Sequence, residues 1–526
     1  MTLRRCLAIL LVCCLLVMTT ACGGTSSDAT SGDGTATNTD GSGAAGKDSI
    51  IIASASEPDC FFPFHSTLNT NMDEAPILHN IYETLIKMAP DGSHMPLLAT
   101  KWEISADGKE YTMYLRDDVY FHSGNKMTAE DVAWTLNTSA PSTQGKQQLA
   151  NFKTCEVIDE NTVVIKLSAP YAPFLNALCG RFALIADKKL FDEIGEEAYN
   201  ENPVGTGPYK WISRTSGDRI ILESNEEYWN GAPPIKNITY RVMTDSNTQM
   251  ISLENGDIDV LLQANISALT KLNTEKVKWD TTDASSICYM FINCTKGPGQ
   301  DLAFRQALQY GINKEEINIG VYEGYATVGD IQMAPSFSGR PDPGTYKTIE
   351  YDLEKAKELL AKSSYNGEEF SILTVSGTRN ENAAQVLQGQ LIELGINCTV
   401  NAVDAPSYTN TEQEGNFGAK LRASGISVMD ADGIYYQFHS SQALAPGKYD
   451  LGVSSPELDE LFAAGRVEVD SAKRKQIYAQ ACDMITDNAY TVCLYYEVNA
   501  CAYNSGLKGV VPRALTGLYF FNDWSW

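Results

Sequence analysis

Alternating patterns of apolar and polar residues predict several elements in the first third of the chain. Apolar residues recur at helical spacing at Ile77, Leu78, Ile81 and Leu85, which predicts a helix with one buried face. The β-forming residues of 102–104 and 111–115 flank Asp107-Gly108, a pair typical of a tight hairpin because Gly tolerates positive φ. Residues 128–131, Thr-Ala-Glu-Asp, then indicate a helix N-terminus, because a hydroxyl can cap free N–H groups and acids complement the helix dipole.

Helix and strand patterns alternate in the second half of the chain. Helical spacing of apolar residues is typical of four segments, 352–360, 381–394, 457–464 and 472–485. Runs of β-forming residues predict strands at 287–293, 397–403 and 492–496. Such alternation is typical of an α/β fold.

The N-terminal residues have the features of an export signal. Arg4 and Arg5 precede an apolar run at 6–18, which has signal-peptide length and is too short to remain as a membrane span. Residues 19–22, Thr-Thr-Ala-Cys, resemble a lipobox, so we expect a signal peptide over 1–21 and lipidation of Cys22. The alternative is ordinary secretion with cleavage nearby. Small and polar residues dominate 23–46, which predicts a flexible tether over 22–47.

Composition narrows the class of function. A chain of 526 residues with 43% hydrophobic content can bury a large core, and its length implies more than one domain. The formal net charge of −26 argues against a nucleic-acid partner, whose phosphates would be repelled. Cationic or zwitterionic ligands are compatible with this charge, which acts on solubility and steering more than on site chemistry.

Cysteine and histidine usage argues against a disulfide framework and against a metal cofactor. After Cys22 the chain has an odd number of cysteines, namely Cys60, Cys155, Cys179, Cys288, Cys294, Cys398, Cys482, Cys493 and Cys501. We expect these thiols to be buried and mostly reduced. With only five histidines and no metal-binding spacing, no metal site and no cofactor are expected.

The sequence gives little support to an enzyme. It contains no GxSxG motif and no nucleophile with a recognisable base. The glycine-rich run at 202–210 lacks phosphate-loop spacing and leads into β-type residues, so its glycines are better explained by a tight entry into a strand. We therefore do not expect a hydrolase.

Several segments together resemble the bacterial extracellular solute-binding proteins of family 5, which serve ATP-driven peptide and nickel importers. The resemblance rests on Leu-Arg-Asp-Asp-Val-Tyr-Phe-His-Ser-Gly at 115–124, Thr-Ala-Glu-Asp-Val at 128–132, Pro-Val-Gly-Thr-Gly-Pro-Tyr at 203–209 and Leu-Glu-Asn-Gly-Asp-Ile-Asp-Val at 253–260. Asp118 replaces a glycine that is usual in the first of these segments.

The resemblance implies a periplasmic-binding-protein-like α/β fold of class II, cluster C, with two lobes joined by a hinge and an additional small α/β domain. Lobe I would comprise 48–77, 203–285 and 497–526. The small domain would be inserted over 78–202, and lobe II would span 286–496. The strands at 287–293 and 492–496 would then cross between the lobes.

The resemblance also implies where a ligand would bind. Peptide-binding relatives carry an Arg, a Trp and an Asp on and after one strand, and Arg422 and Asp430 best match that Arg and that Asp, although the Trp is replaced here. The Asp would accept the peptide's α-ammonium and the Arg would serve its carboxylate side. Asp432 is an alternative counterpart to Asp430. Both acids can instead shape a turn before Gly433, and Arg422 can instead be a surface charge.

Aromatic residues extend this predicted site. Tyr435 and Tyr436 can stack on a ligand or pack in the core. The first loop of the folded body carries Cys60, Phe61 and Phe62, and in the resembling family this loop reaches the ligand cleft. Core packing of these residues is an equal alternative.

We therefore expect a lipid-anchored substrate-binding protein of an ABC importer, monomeric, which captures a peptide and delivers it to a membrane permease with its cytoplasmic ATPases. It would lie in the cell envelope, on the outer face of the cytoplasmic membrane of a Gram-positive type of cell, or in the periplasm otherwise. Alternatives are a binder of a nickel chelate, an opine or an oligosaccharide, and a peptide-signal receptor without uptake.

Overall fold

The structure is a computed structural model that describes residues 47–64, 74–89, 93–142, 144–273, 275–425, 428–443 and 451–526. The predicted signal peptide, Cys22 and nearly all of the predicted tether lie outside these residues. From Lys47 to Trp526 the chain forms one unit.

The strands of the described residues are β1 Ser49–Ser54, β2 Ile86–Met88, β3 His94–Pro96, β4 Ala99–Ile104, β5 Glu110–Leu115, β6 Phe152–Asp159, β7 Thr162–Leu167, β8 Tyr209–Thr215, β9 Arg219–Ser224, β10 Asn237–Val242, β11 Val260–Leu261, β12 Val277–Ile292, β13 Thr327–Val328, β14 Phe370–Val375, β15 Cys398–Val403, β16 Ala419–Gly425 and β17 Thr491–Asn504.

The helices are α1 Ala75–Ile81, α2 Ala129–Ser139, α3 Gly145–Gln148, α4 Phe174–Ala177, α5 Lys188–Glu201, α6 Ser246–Asn255, α7 Ile266–Leu269, α8 Leu302–Gly311, α9 Lys314–Tyr322, α10 Leu353–Lys362, α11 Arg379–Leu394, α12 Ala405–Glu414, α13 Tyr435–Phe438, α14 Ser440–Ala443, α15 Pro456–Val467 and α16 Ser471–Asp487. Short 3-10 helices lie at Arg181–Ala183, Gly297–Gln300, Ala431–Ile434 and Phe521–Asp523.

The hairpin and the helix start predicted in the first third of the chain are confirmed, whereas the predicted helix through Leu85 is shorter, because α1 ends at Ile81. Strands β4 and β5 pair as an antiparallel hairpin, and Gly108 in its turn has φ of +67°. Helix α2 follows Thr128, whose backbone N–H donates to the Asp131 carboxylate at 2.8 Å. That contact satisfies a donor at the helix N-terminus and thereby stabilises the start of α2.

The periodic segments of the second half also fold as the sequence predicts. Helices α10, α11, α15 and α16 and strand β15 cover the predicted ranges. The pattern at 287–293 predicts only part of β12, which begins ten residues earlier, at Val277. Likewise β17 continues beyond the predicted strand to Asn504.

One large sheet runs through the unit and is organised by β12 and β17. Its strand order is β15-β14-β16-β12-β17-β11-β1-β10-β9-β8, and β13 also pairs with β17. The two long strands are antiparallel from the pair Val277–Asn504 to the pair Phe291–Thr491, with a register shift between Asp283 and Ile287. Before the shift the sheet continues through β11 and β1, and after it through β16. The long strands therefore connect two groups of shorter strands.

A separate antiparallel sheet with the order β4-β5-β7-β6 lies between β1 and β8 in the sequence. Residues Tyr111, Met113 and Leu115 of β5 alternate with less buried residues, and their side chains pack in the core beside α2. A two-stranded sheet, β2-β3, precedes it. This insertion supplies part of the site described below.

The described cysteines all carry free thiols. Seven of the nine are buried, and Cys179 and Cys294 are half-buried. Burial raises the pKa of the Cys179 thiol to about 12 and also raises the pKa of the seven buried thiols, so these eight are protonated at neutral pH. The predicted burial is confirmed for seven of the nine cysteines, and their reduced state remains a prediction.

Candidate ligand-binding site

Asp430 begins the 3-10 helix Ala431–Ile434 and is almost completely buried. Its Oδ1 accepts a hydrogen bond from the backbone N–H of Asp432 at 2.8 Å, a local contact that aspartate favours at turns. Arg474 on α16 meets the same carboxylate with two nitrogens: Nη1 donates to Oδ2 at 2.9 Å, and Nη2 donates to Oδ1. The Asp430 carboxylate therefore already has a buried counter-charge within the protein.

Asp432 is buried beside Arg466, whose Nε lies 3.3 Å from Asp432 Oδ1. The hydroxyls of Tyr171 and Tyr478 donate to the Asp432 carboxylate at 3.1 and 3.4 Å. Burial raises the pKa of Asp432 to about 7, because the loss of water outweighs the attraction of Arg466. We refer to the following residues as the Asp430 cluster: Asp430, Asp432, Arg466, Arg474, Tyr171 and Tyr478.

The Asp430 cluster joins two regions that are distant in sequence. Asn176 on α4 donates through Nδ2 to the Met429 carbonyl at 3.1 Å and to Asp430 Oδ2 at 3.4 Å. The backbone N–H of Ala172 donates to the Arg466 carbonyl at 2.8 Å. Together with the Tyr171 hydroxyl, these contacts bridge the insertion and the region that follows β16. Any separation of the two regions must break them.

Tyr435 and Tyr436 pack around the guanidinium of Arg466. That group lies 4.0 Å from the centroid of the Tyr435 ring and 5.9 Å from that of Tyr436, and such cation–π contacts are attractive. The Tyr436 hydroxyl also donates to the Gln147 carbonyl at 3.0 Å. Both rings thus contact the Asp430 cluster, and a ligand contact by either remains a prediction.

Arg422 lies on β16 opposite Tyr289 of β12 and has an exposed side chain. Its Nη1 is 3.9 Å from Glu412, which forms a buried ion pair with Lys420. This environment agrees with the alternative interpretation of Arg422 as a surface charge. A contact between Arg422 and a ligand carboxylate remains a prediction.

Cys60, Phe61 and Phe62 belong to the hydrophobic core. Each is at most 4% exposed, and the Phe62 ring stacks on Phe191 with centroids 5.2 Å apart. The backbone N–H groups of Phe61 and Phe62 both donate to Asn200 Oδ1, at 2.7 and 2.9 Å. These positions agree with core packing. A ligand contact by this loop remains a prediction.

A cavity adjoins the bridge, because Asn176 and Met429 belong to its wall. Its cavity volume is about 80 Å³, and the space around it is open to solvent. Four parts of the chain form most of the wall. They are the end of α1 with the residues after it, the α4 region, Met429, and the C-terminal segment. Its polar members include His79, Glu83, Lys87, Asn176, Asn230 and Asp523, and its apolar and aromatic members include Tyr82, Tyr228, Met429, Leu515, Leu518 and Phe520.

Glu83 is a buried carboxylate in the cavity wall with three hydrogen-bond donors. The Tyr228 hydroxyl donates to Oε1 at 2.6 Å, while Thr206 Oγ1 and Trp229 Nε1 donate to Oε2 at 2.9 and 3.0 Å. Burial nevertheless raises the pKa of Glu83 to about 7, because desolvation outweighs these bonds and the nearby Lys87 ammonium. The carboxylate is thus held rigidly and is easily protonated.

A second group of charges surrounds Phe520 in the C-terminal segment. The Lys87 ammonium lies 5.9 Å from the centroid of the Phe520 ring, and the Arg513 guanidinium lies 5.7 Å from it. Arg513 is 3.9 Å from Asp523, which also belongs to the cavity wall. Burial lowers the pKa of His79 to about 4, so its imidazole presents a neutral face to the cavity.

Sequence reasoning did not identify Glu83, Lys87 or Phe520 as site residues. One signal was present for the first two, because they are charged residues within the otherwise apolar segment 81–88. Phe520 carries no comparable signal, since its position opposite Lys87 depends on contacts across most of the chain.

Within the described ranges, no cluster of three or more His, Cys, Asp or Glu side chains is placed to hold a metal ion. None of the helices in the described part of the chain has both the length and the apolar character needed to span a membrane.

Comparison with known proteins assigns this architecture to a family. The family model "Bacterial extracellular solute-binding proteins, family 5 Middle" matches residues 94–445. The glutathione-binding protein GsiB of Pectobacterium atrosepticum is 28% identical over 464 residues, which cover 85% of this chain and 87% of that protein. The dipeptide-binding protein of Escherichia coli is 25% identical over 507 residues, covering 90% and 94% of the two chains.

A solved structure agrees with these sequence comparisons. The oligopeptide-binding protein AppA of Bacillus subtilis, in complex with a nonapeptide, superposes with a TM-score of 0.72 at 26% identity. The match covers 91% of this chain and 98% of AppA. The predicted class II, two-lobed binding-protein fold is thus confirmed, and so is the expectation that the chain is a solute-binding protein and not an enzyme. The chain belongs to the bacterial extracellular solute-binding proteins of family 5, the extracytoplasmic substrate-binding components of ABC importers.

Proposed function

We propose that this chain captures a short peptide in the cavity between α4, Met429 and the C-terminal segment and delivers it to a membrane permease. The observation that carries this proposal is the cavity wall, which offers a lysine, a carboxylate, side-chain amides and aromatic rings. A peptide has two charged ends, a polar backbone and apolar side chains, so each type of wall residue has a matching group.

The names of the relatives support the same class of ligand. One is called a glutathione-binding protein and one a dipeptide-binding protein, while the AppA structure contains a nonapeptide. These ligands differ in length but share peptide bonds and free carboxylates.

Capture would proceed by closure of two lobes about β12 and β17. The lobe boundaries proposed here are those expected from the resemblance, with lobe I at 48–77, 203–285 and 497–526, the small domain at 78–202, and lobe II at 286–496. The register shift between Asp283 and Ile287 lies where these boundaries place the first crossing. Ligand contacts from both sides would favour the closed state.

The role of Asp430 follows from its partners. Its bidentate pairing with Arg474 supports a role in holding the turn that presents Met429 to the cavity. Binding of the ligand ammonium by Asp430 or Asp432 remains the earlier prediction. The substitution Asp430→Ala tests it, because unaltered affinity for a peptide with a free amino group would contradict a direct contact.

Mass spectrometry of ligand that copurifies with the full-length protein tests the proposed function. We expect peptides, recovered unchanged after prolonged incubation because no chemical step is involved. Recovery of a nickel chelate, an opine or an oligosaccharide would replace the peptide assignment. Retention of peptide uptake after deletion of the gene would favour a signal receptor over an importer component.

Membrane attachment rests on the predicted lipid anchor at Cys22, which lies outside the described residues. A monomer tethered to the outer face of the cytoplasmic membrane can reach a permease while its lobes remain free to close. Replacement Cys22→Ala should move the protein from the membrane fraction to the soluble fraction. Unchanged fractionation would contradict lipidation at Cys22.

A further inference from the structure

Lys87 is positioned to contact a ligand in the cavity. It lies on β2, is half-buried, and belongs to the cavity wall. Among the described residues, no carboxylate lies within ion-pair distance of the Lys87 ammonium, although Glu83 is near enough to attract it electrostatically. The ammonium lies 5.9 Å from the centroid of the Phe520 ring. A half-buried ammonium with this environment has hydrogen-bond donors available for a ligand.

The neighbouring acids are engaged elsewhere. Glu83 already accepts from Tyr228, Thr206 and Trp229, so its lone pairs are largely occupied. Asp523 lies 3.9 Å from Arg513. Because Arg513 also lies near the Phe520 ring, two cations adjoin that ring, and the acids near them are Asp523 and Glu83, of which Glu83 already accepts three hydrogen bonds. This end of the cavity therefore favours an anionic group, although the whole chain is acidic.

Phe520 adds an apolar surface beside the ammonium. Its ring belongs to the cavity wall, so a ligand carboxylate that reaches Lys87 brings its neighbouring carbon atoms against an aromatic face. A carboxylate paired with an ammonium in a partly dehydrated site makes a charge-assisted hydrogen bond, which is stronger than a neutral one.

We propose that Lys87 is a specificity-determining residue that binds the carboxylate of the captured ligand, with Phe520 contacting the atoms next to that carboxylate. This inference rests on the proposed function and adds to it which end of the ligand lies at the β2 side of the cavity. In this proposal Lys87 binds the ligand carboxylate, in place of the Arg422 that the family resemblance implies.

The test compares peptides that differ only at the carboxylate. Pools of random tripeptides to pentapeptides, made once as free acids and once as C-terminal amides, are titrated into the full-length protein and into Lys87→Met, Lys87→Arg and Lys153→Met. Lys153 is exposed on β6 and serves as the matched control. Thermal unfolding of each variant records whether it is folded.

We expect the unaltered protein to bind the acid pool about 10- to 100-fold more tightly than the amide pool, the range given by one charge-assisted hydrogen bond. Lys87→Met should abolish this preference, while Lys87→Arg and Lys153→Met should keep it. Equal binding of acids and amides by the unaltered protein would overturn the inference even if Lys87→Met failed to fold. So would an undiminished preference in folded Lys87→Met.

The two proposals fail in different ways. Peptide binding without a role for Lys87 refutes only the carboxylate assignment. Failure of every peptide pool to bind the unaltered protein refutes the peptide function and this inference with it.

Discussion

Two groups of charged residues in this protein differ in how completely their charges are paired within the protein. In the Asp430 cluster every carboxylate has protein partners, including the paired guanidinium of Arg474. At the cavity wall, Lys87 instead has no ion-pair partner among the described residues and lies near an aromatic ring. Buried ion pairs are costly to disrupt and contribute shape, whereas a charge left facing a cavity is available to a ligand.

The comparison assigns different functions to the two groups. The Asp430 cluster and its neighbour Asn176 bridge the insertion and the region after β16, and thereby fix one wall of the cavity. The residues around Phe520 are the ones that we propose for ligand recognition. Substitutions in the first group should therefore change stability and closure, while substitutions in the second should change ligand preference.

The largest expected effect comes from removing the counter-charge of Asp430. Arg474→Met leaves a buried carboxylate without its partner, which costs about 3–5 kcal/mol of unfolding free energy. Urea denaturation measures this loss. The adjacent Lys475→Met is the control, because Lys475 pairs with Asp342 at an exposed position and should change stability by less than about 1 kcal/mol. Equal effects of the two substitutions would contradict a buried structural role for the pair.

A second prediction concerns how pH changes the stability of the protein through Glu83, the carboxylate in the cavity wall that accepts three hydrogen bonds. Burial raises the folded-state pKa of Glu83 from 4.5 to about 7, so the folded protein binds this proton more tightly than the unfolded chain. The resulting stabilisation is complete below pH 4.5 and is lost as pH rises through 7. One pKa unit corresponds to about 1.4 kcal/mol, so a rise from 4.5 to about 7 contributes a change of about 3–4 kcal/mol.

Glu83→Gln separates this contribution from those of other groups. The amide can keep an oxygen towards Thr206 and Trp229 and turn its NH₂ towards the Tyr228 hydroxyl, which then accepts. We expect the variant to lose less stability than the unaltered protein between pH 5 and pH 8 in denaturation experiments. Asp432 also has a raised pKa and should maintain a residual slope. Identical pH profiles would show that Glu83 is ionised throughout.

The smallest expected effect concerns the bridge itself. Tyr171→Phe removes only the hydroxyl that donates to Asp432 across the two regions, and one such bond contributes about 1 kcal/mol. If the contact forms on closure, peptide affinity should fall about five-fold through faster dissociation. Tyr120→Phe is the control, because Tyr120 is exposed. An unchanged dissociation rate in Tyr171→Phe would mean that this contact does not depend on closure.

The sequence predicted the elements whose causes are local. The hairpin depends on Asp107-Gly108 in the short loop between β4 and β5, and α2 depends on Thr128 and Asp131 three residues apart. The length of β12 was underestimated because residues 277–283 include polar side chains whose strand conformation depends on pairing with β17. The local sequence pattern therefore predicted where helices and strands occur better than it predicted the residues at which they end.

The candidate site was less predictable because its contacts are long-range. Motif similarity drew attention to Asp430, but its pairing with Arg474 joins residues 44 positions apart and is invisible to a local pattern. The approach of Phe520 to Lys87 spans most of the chain and had no local signal. Charged residues within an apolar run, such as Glu83 and Lys87, were the one clue that the sequence offered.

Thiol footprinting tests most directly whether a peptide occupies the cavity beside α4. Cys179 belongs to the cavity wall, while Cys294 is a half-buried thiol next to the Leu451 backbone and serves as an internal control. Methyl methanethiosulfonate labelling of both, continued until the protonated Cys179 thiol is modified in the peptide-free sample and followed by mass spectrometry, is compared with and without a saturating free-acid peptide pool. We expect strong protection of Cys179 and unchanged labelling of Cys294. Equal labelling of Cys179 in both samples, under conditions where the peptide is bound, would contradict it.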